Sequence, residues 1–127
     1  MTLHRQSLIL TENCPIRDVL DRLGDRWTVL VLHELAPGTL RFSELRKRIA
    51  DISPRMLAQT LRHLEQDGLV ARAVFPTIPP RVDYTLTPLG QSFFERVEML
   101  AQWAADNHEA VKAARKAYVA PGPHTPK

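Results

Sequence analysis

Arg55, Gln59, Arg62 and Gln66 recur at intervals of four, three and four residues, with Leu57, Leu61 and Leu64 interleaved among them. At roughly 100° per residue, a helix through this segment turns the leucines to one side and the arginine and glutamine side chains to the other. Arginine and glutamine can make paired hydrogen bonds to guanine and adenine edges, and an α-helix fits the DNA major groove. The stripe, above all Arg55, Gln59 and Arg62, has the chemistry of a base reader. A merely solvated helix face carries the same charge pattern, so the neighbouring elements decide between the two.

The limits of this helix are legible. Ser53 is a good N-cap, Pro54 fits the first helical position, and Gly68 stands where a glycine ends a helix, predicting a helix from about Pro54 to Asp67. In a shorter helix before it, Ser43 is placed to cap, Glu44 suits the positive N-terminal end, and Phe42, Leu45 and Ile49 share a face. The outer side then holds Arg46, Lys47 and Arg48. Joined by Ala50-Asp51-Ile52, the pair has the helix-turn-helix layout, whose first helix lies across the DNA backbone. Arg41, Ser43 and Lys47 are expected at phosphates, with Pro54 and His63 as further phosphate contacts on the reading helix.

Past Leu69, the β-formers of Val70 to Phe75 and the alternation of Val82, Tyr84 and Leu86 with Asp83 and Thr85 predict two strands. The loop Pro76-Thr77-Ile78-Pro79-Pro80-Arg81 is too proline-rich to continue the ladder and should project as a stiff tip. Arg81 at its base is placed to touch a phosphate. A helix-turn-helix followed by a hairpin is a winged helix, and that combination favours a reading head over a solvated face.

These residues also carry a family resemblance. Cys14-Pro15, Gly24-Asp25-Arg26-Trp27-Thr28, Arg41-Phe42-Ser43-Glu44-Leu45 and Ile52-Ser53-Pro54-Arg55-Met56-Leu57 come first. Leu61-Arg62 and Leu64-Glu65 with Gly68-Leu69-Val70, then Pro79-Pro80-Arg81-Val82-Asp83-Tyr84-Thr85-Leu86-Thr87, follow in order. Together, from about Cys14 to Trp103, they resemble the HxlR-type winged helix-turn-helix transcriptional regulators. One departure is Asp25-Arg26, where members often have a second glycine and a lysine before the tryptophan. The resemblance implies a bacterial-type, dimeric regulator that binds double-stranded DNA. It also implies a role for Cys14, because some members sense oxidants or electrophiles such as quinones and aldehydes through a cysteine at this place. A small aromatic or electrophilic effector is the further partner left open.

Cys14 has a physical argument of its own. It precedes Pro15 at a helix N-terminus, where the helix dipole favours thiolate; the alternative is a small buried apolar side chain. As the only cysteine it can form no intrachain disulfide, and its oxidised form needs a partner-chain Cys14 or a small-molecule adduct.

The remaining elements position the reader. Pro15 to Leu23 forms a first helix with Ile16, Val19, Leu20 and Leu23 on one face, expected to pack inward. Arg26 to Leu35 is apolar nearly all round and should be the buried centre, with His33 and Glu34 a satisfied pair at the core edge. Thr87-Pro88 opens a long helix, where Leu89, Phe93, Val97, Leu100, Ala104, Asn107 and Val111 make a stripe longer than a small core needs. The surplus fits a second copy of the chain, and Phe94, Met99 and Trp103 strengthen that interface if they face outward. Two reading heads held about 34 Å apart match a symmetric site; the alternative is a helix that folds back on its own domain.

The fold class expected is therefore mainly α with a small β-hairpin (α+β), a winged helix-turn-helix with a long C-terminal dimerisation helix. Residues 1–13 are expected as an N-terminal arm, either packing Leu8-Ile9-Leu10 on a partner subunit or hanging loose, 14–119 as the DNA-binding domain with its dimerisation helix, and 120–127 as a disordered tail. A chain of 127 residues with 44% apolar content suits one core. The net charge of +3 and isoelectric point near 9.4 suit a polyanionic partner without proving one. No apolar run approaches the roughly 20 residues of a membrane span, so a cytoplasmic protein is expected. The five histidines show no metal-ligand spacing and no nucleotide-binding or nucleophile motif occurs, so no enzyme, cofactor or metal is expected. The other function class is a winged helix that binds protein, which should present apolar groups where Arg55, Gln59, Arg62 and Gln66 stand.

Overall fold

The computed structural model describes residues 15–122. Its elements are α1 (Pro15–Leu23), α2 (Arg26–Leu35), β1 (Leu40–Arg41), α3 (Phe42–Arg48), α4 (Pro54–Gln66), β2 (Val70–Phe75), β3 (Arg81–Leu86) and α5 (Pro88–Ala117). Cys14, the arm with Leu8-Ile9-Leu10, and residues 123–127 of the tail lie outside the described residues.

The helices begin and end where side chains satisfy their free backbone groups. Asp25 starts α2 by accepting the Trp27 N–H at 3.0 Å, and Ser53 Oγ starts α4 by accepting the Met56 N–H at 3.1 Å. Gly68 follows α4 at φ +77°, a left-handed conformation that glycine adopts without a side-chain clash. Thr87 then ties two helix ends together. Its hydroxyl donates to the Gly68 carbonyl at 2.6 Å and accepts the Gly90 N–H at 3.0 Å, opening α5. A Cβ at position 90 would stand 2.0 Å from the Leu69 carbonyl oxygen, so glycine is what lets α5 start so close to β2.

Helix α3 starts earlier than Ser43. Arg41 is its N-cap residue, and Glu44 Oε1 accepts the Arg41 N–H at 2.9 Å. The cause is a strand the periodicity could not reveal: β1 pairs Leu40 with Tyr84 and Arg41 with Asp83, holding Arg41 extended until the helix begins. The sheet is three-stranded and antiparallel, in the order β1-β3-β2, rather than a bare hairpin. Ser43 is left exposed within the first turn.

Val31, Leu32 and Leu35 of α2 meet Leu45 of α3, Ile49 just past its end, Leu57, Leu61 and Leu64 of α4, and Tyr84 and Leu86 of β3 in one core. Helix α2 is less central than its composition implies, since Leu30 is 42% exposed. His33 and Glu34 do sit at the core edge but do not pair with each other. Glu34 faces Arg48 at 3.6 Å, and His33 lies 6.3 Å, ring to ring, from Phe94. Helix α1 departs most from expectation: none of its residues is buried, and Ile16, Val19 and Leu20 are turned to solvent.

The described residues fall into two compact units, one ending at Phe94 and the other beginning at Glu95. Phe94 belongs to the core of the first and does not face outward. In the second, Val97 is buried while Met99, Leu100 and Trp103 are exposed, and the Trp103 carbonyl accepts a hydrogen bond from Asn107 Nδ2 at 2.8 Å. Among the described residues no helix is long and apolar enough to cross a membrane.

Candidate nucleic-acid interface

Helix α4 separates its two jobs by face. Leu57, Leu61 and Leu64 are at most 1% exposed, while Arg55, Gln59, Arg62 and Gln66 are all exposed. Burying three leucines is worth on the order of 1.5–3 kcal/mol each, which anchors the helix without using any polar side chain. His63 is half-buried on the flank, and Pro54 is exposed at the first turn.

The C-terminal end of α4 is anchored by an ion pair. Asp67 accepts from Arg22 Nε, and from Arg22 Nη2 at 2.9 Å, joining the last turn of α1 to the cap of α4. The hydrogen bonds to Asp67 hold the Arg22 guanidinium above its ordinary pKa. Glu65 faces Arg72 of β2 at 3.5 Å.

Around this helix the arginines divide by partner. Arg22, Arg48, Arg72 and Arg81 are spent on carboxylates, whereas Arg55, Arg62 and Lys47 carry no ion pair among the described residues. The cations left open therefore include the two arginines on the outer face of α4 and Lys47 on α3.

Arg41, Ser43 and Arg81, predicted as phosphate contacts from distant parts of the chain, do come together. They line one groove of about 700 Å³ between the start of α3 and the loop joining β2 to β3. Lys47 lies outside that groove, beside Ser43 and Arg46 in a smaller depression. Arg81 is not free: its Nε and Nη2 donate to the two oxygens of Asp83 at 2.8 and 3.0 Å, and its guanidinium lies 5.5 Å from the Phe75 ring centre. That pairing holds the Asp83 carboxyl below its ordinary range and Arg81 above its own. Any phosphate at Arg81 would share the guanidinium with Asp83. Asp83 itself is 7% exposed, although strand alternation placed it opposite the inward Tyr84 and Leu86. Covering by β1 and the Arg81 pair accounts for this. Burial pushes the Tyr84 phenol up, so it stays neutral.

The groove and the Arg22–Asp67 link were not foreseen from the sequence. Both join segments far apart in the chain, and no local pattern announces such pairs. Among the described residues no cluster of metal-ligating side chains occurs.

A helix-turn-helix with arginine and glutamine on the outer face of its second helix, followed by a small antiparallel sheet, defines a winged helix-turn-helix protein. Comparison with known proteins narrows the class. Residues 22–112 match the model of the HxlR-like helix-turn-helix family. The HTH-type transcriptional regulator YtfH of Escherichia coli K12 is 46% identical over 111 residues, covering 87% of this chain and 88% of YtfH. A solved structure of the transcriptional regulator ytfH from Salmonella typhimurium superposes with a TM-score of 0.73 at 45% identity, over 85% of this chain and 96% of that one. The reduced form of the transcriptional regulator YodB from B. subtilis gives 0.65 at 39% identity, over 72% and 90% of the two chains. This chain belongs to the HxlR-like helix-turn-helix family of transcriptional regulators. It is therefore a regulator rather than an enzyme, and its helix-turn-helix is a DNA-binding element.

Proposed function

We propose that the protein is a homodimeric, sequence-specific regulator whose paired α4 helices enter successive major grooves of a pseudo-palindromic operator. The observation that carries this reading is the outer face of α4, where Arg55, Gln59 and Arg62 are exposed while the leucines opposite are buried. Their donors and acceptors suit guanine and adenine edges. Arg41, Ser43, Lys47, Pro54, His63 and Arg81 contact phosphates, fixing register and adding salt dependence with little sequence choice.

Dimerisation is supported by apolar surface that one chain leaves uncovered: Ile16, Val19 and Leu20 on α1, and Leu89, Leu100 and Trp103 on α5. Phe93 is half-buried against the core and Val97 is buried, so these two offer a partner less area than their place in the stripe implies. The protein acts in the cytoplasm, on promoter DNA. Cys14 tunes operator affinity in response to oxidants or electrophiles, a reading supported by its place before Pro15 and by the solution of relative YodB in reduced and diamide-treated forms. A Cys14→Ser variant should lose any diamide- or quinone-dependent change in DNA affinity; an unchanged response in that variant removes the cysteine from the mechanism.

The test is retention of fragmented genomic DNA by the purified protein at near-physiological salt, over non-specific competitor. Enrichment of a few inverted repeats with half-sites about one helical turn apart is expected. Uniform retention that vanishes with salt would leave only non-specific phosphate binding.

A further inference from the structure

Helix α1 is covered only at one end. From Pro15 to Asp21 every residue is exposed, and Arg22 and Leu23, in the last turn, are partly covered. Ile16, Val19 and Leu20, the face such a helix ordinarily buries, stand in solvent. At the covered end, Arg22 donates from Nε and Nη2 to the two carboxylate oxygens of Asp67, 45 positions along the chain. Among the described residues no other side chain of α1 hydrogen-bonds to another element.

A bidentate arginine–carboxylate pair fixes orientation as well as distance, because two parallel bonds resist the swivelling that a single bond allows. Asp67 has little slack of its own. It is the C-cap residue of α4, its N–H donates to the His63 carbonyl at 3.1 Å, and Gly68 turns the chain away at φ +77°. The side chains are 29% exposed for Arg22 and 34% for Asp67, so the pair is more sheltered than an open surface bridge. The lever it holds is long enough to matter. Nine residues make α1 about 13 Å long, and a tilt of about 10° at its root carries the far end about 2 Å. Two symmetry-related protomers double that displacement, which then matches the rise of about 3.4 Å for one base pair.

We propose that Arg22 and Asp67 are positioning residues: their fork sets the angle between the uncovered face of α1 and helix α4, and thereby the half-site spacing that a dimer accepts. Neither residue touches a base. Base preference belongs to the outer face of α4, whereas spacing belongs to this link. The inference rests on the dimeric DNA-binding reading above, in which a second copy of the chain covers Ile16, Val19 and Leu20.

Fluorescence-anisotropy titrations test it on one recovered operator, with its native spacer and with the spacer one base pair shorter or longer. The wild type should prefer the native spacer several-fold. Arg22→Met, which keeps the aliphatic stem, and Asp67→Asn should each cut that preference by about two- to five-fold, the scale of one well-formed surface ion pair. The ranking of bases within a half-site should stay as it was. Because both substitutions remove the same link, the double variant should fall no further than either single one. A spacer preference left intact in the single variants overturns the inference, and so do additive losses in the double variant. Equal losses at all three spacers also overturn it, since that is what a merely structural role produces, as does a wild-type dimer indifferent to the spacer. A wild-type protein that selects no operator defeats the DNA-binding reading, and one that binds its operator as a monomer defeats the dimer; either result takes this inference with it.

Discussion

In α4, Leu57, Leu61 and Leu64 are at most 1% exposed, whereas in α1 the equally regular Ile16, Val19 and Leu20 are 49%, 39% and 58% exposed. Both helices start on proline and are followed by glycine one or two residues past their last turn. The difference lies in the neighbours. Helix α4 packs on α2 and β2, while α1 meets α2 along one edge and is pinned to Asp67 through Arg22. Periodicity therefore announces that a face needs covering; it does not say whether the cover comes from the same chain.

The two helices should answer truncation differently. Leu61→Ala should cost about 2–5 kcal/mol of stability, read as a lowered Tm, because it opens a cavity in a closed core. Leu20→Ala should stay within about 0.5 kcal/mol in the isolated chain, as surface changes do, while weakening self-association in sedimentation. Equal melting losses for the two would show that α1 is covered within one chain. Next in size, Arg62→Ala should leave Tm alone and cost about 1–3 kcal/mol in operator binding, with relaxed preference at one base step. Equal losses on operator and random DNA would turn Arg62 into a phosphate contact. Ser53→Ala should cost about 1 kcal/mol by removing the cap of α4, with no change in base preference.

The smallest effect is expected in acid. Arg81 lowers the folded-state pKa of Asp83 below its unfolded value, so the pair's stabilisation is complete above the ordinary aspartate range and is lost as pH falls through the depressed value. Protection of the β2 and β3 amides, taken relative to their intrinsic exchange rate at each pH, should therefore hold steady from neutrality to about pH 5 and weaken only below about pH 4. Asp83→Asn should weaken that protection at neutral pH and flatten its acid dependence; an unaltered profile would mean that the pair does not brace the wing.

What was legible in the sequence follows the same division. Ser53, Pro54 and Gly68 mark α4 because caps act within a turn, and Thr87-Pro88 marks the start of α5 for the same reason. The exposed stripe of Arg55, Gln59, Arg62 and Gln66 needs only the helical period. Strand β1 escaped notice because two residues have no period, and with it went the true start of α3 at Arg41 rather than Ser43. Asp83 escaped because its burial depends on Arg81 and on β1, neither of which alternation can weigh. The outward turn of α1 and the inward turn of Phe94 are decided by tertiary neighbours that hydrophobicity alone does not name.

Helix α4 is fastened at Ser53, along its leucines, and at Asp67 through Arg22, and none of those fastenings uses Arg55, Gln59 or Arg62. Folding and vocabulary are thus kept in separate accounts. Under the proposed function, a duplicated gene could rewrite the outward residues and acquire a new operator without passing through an unstable intermediate, giving one scaffold many dialects.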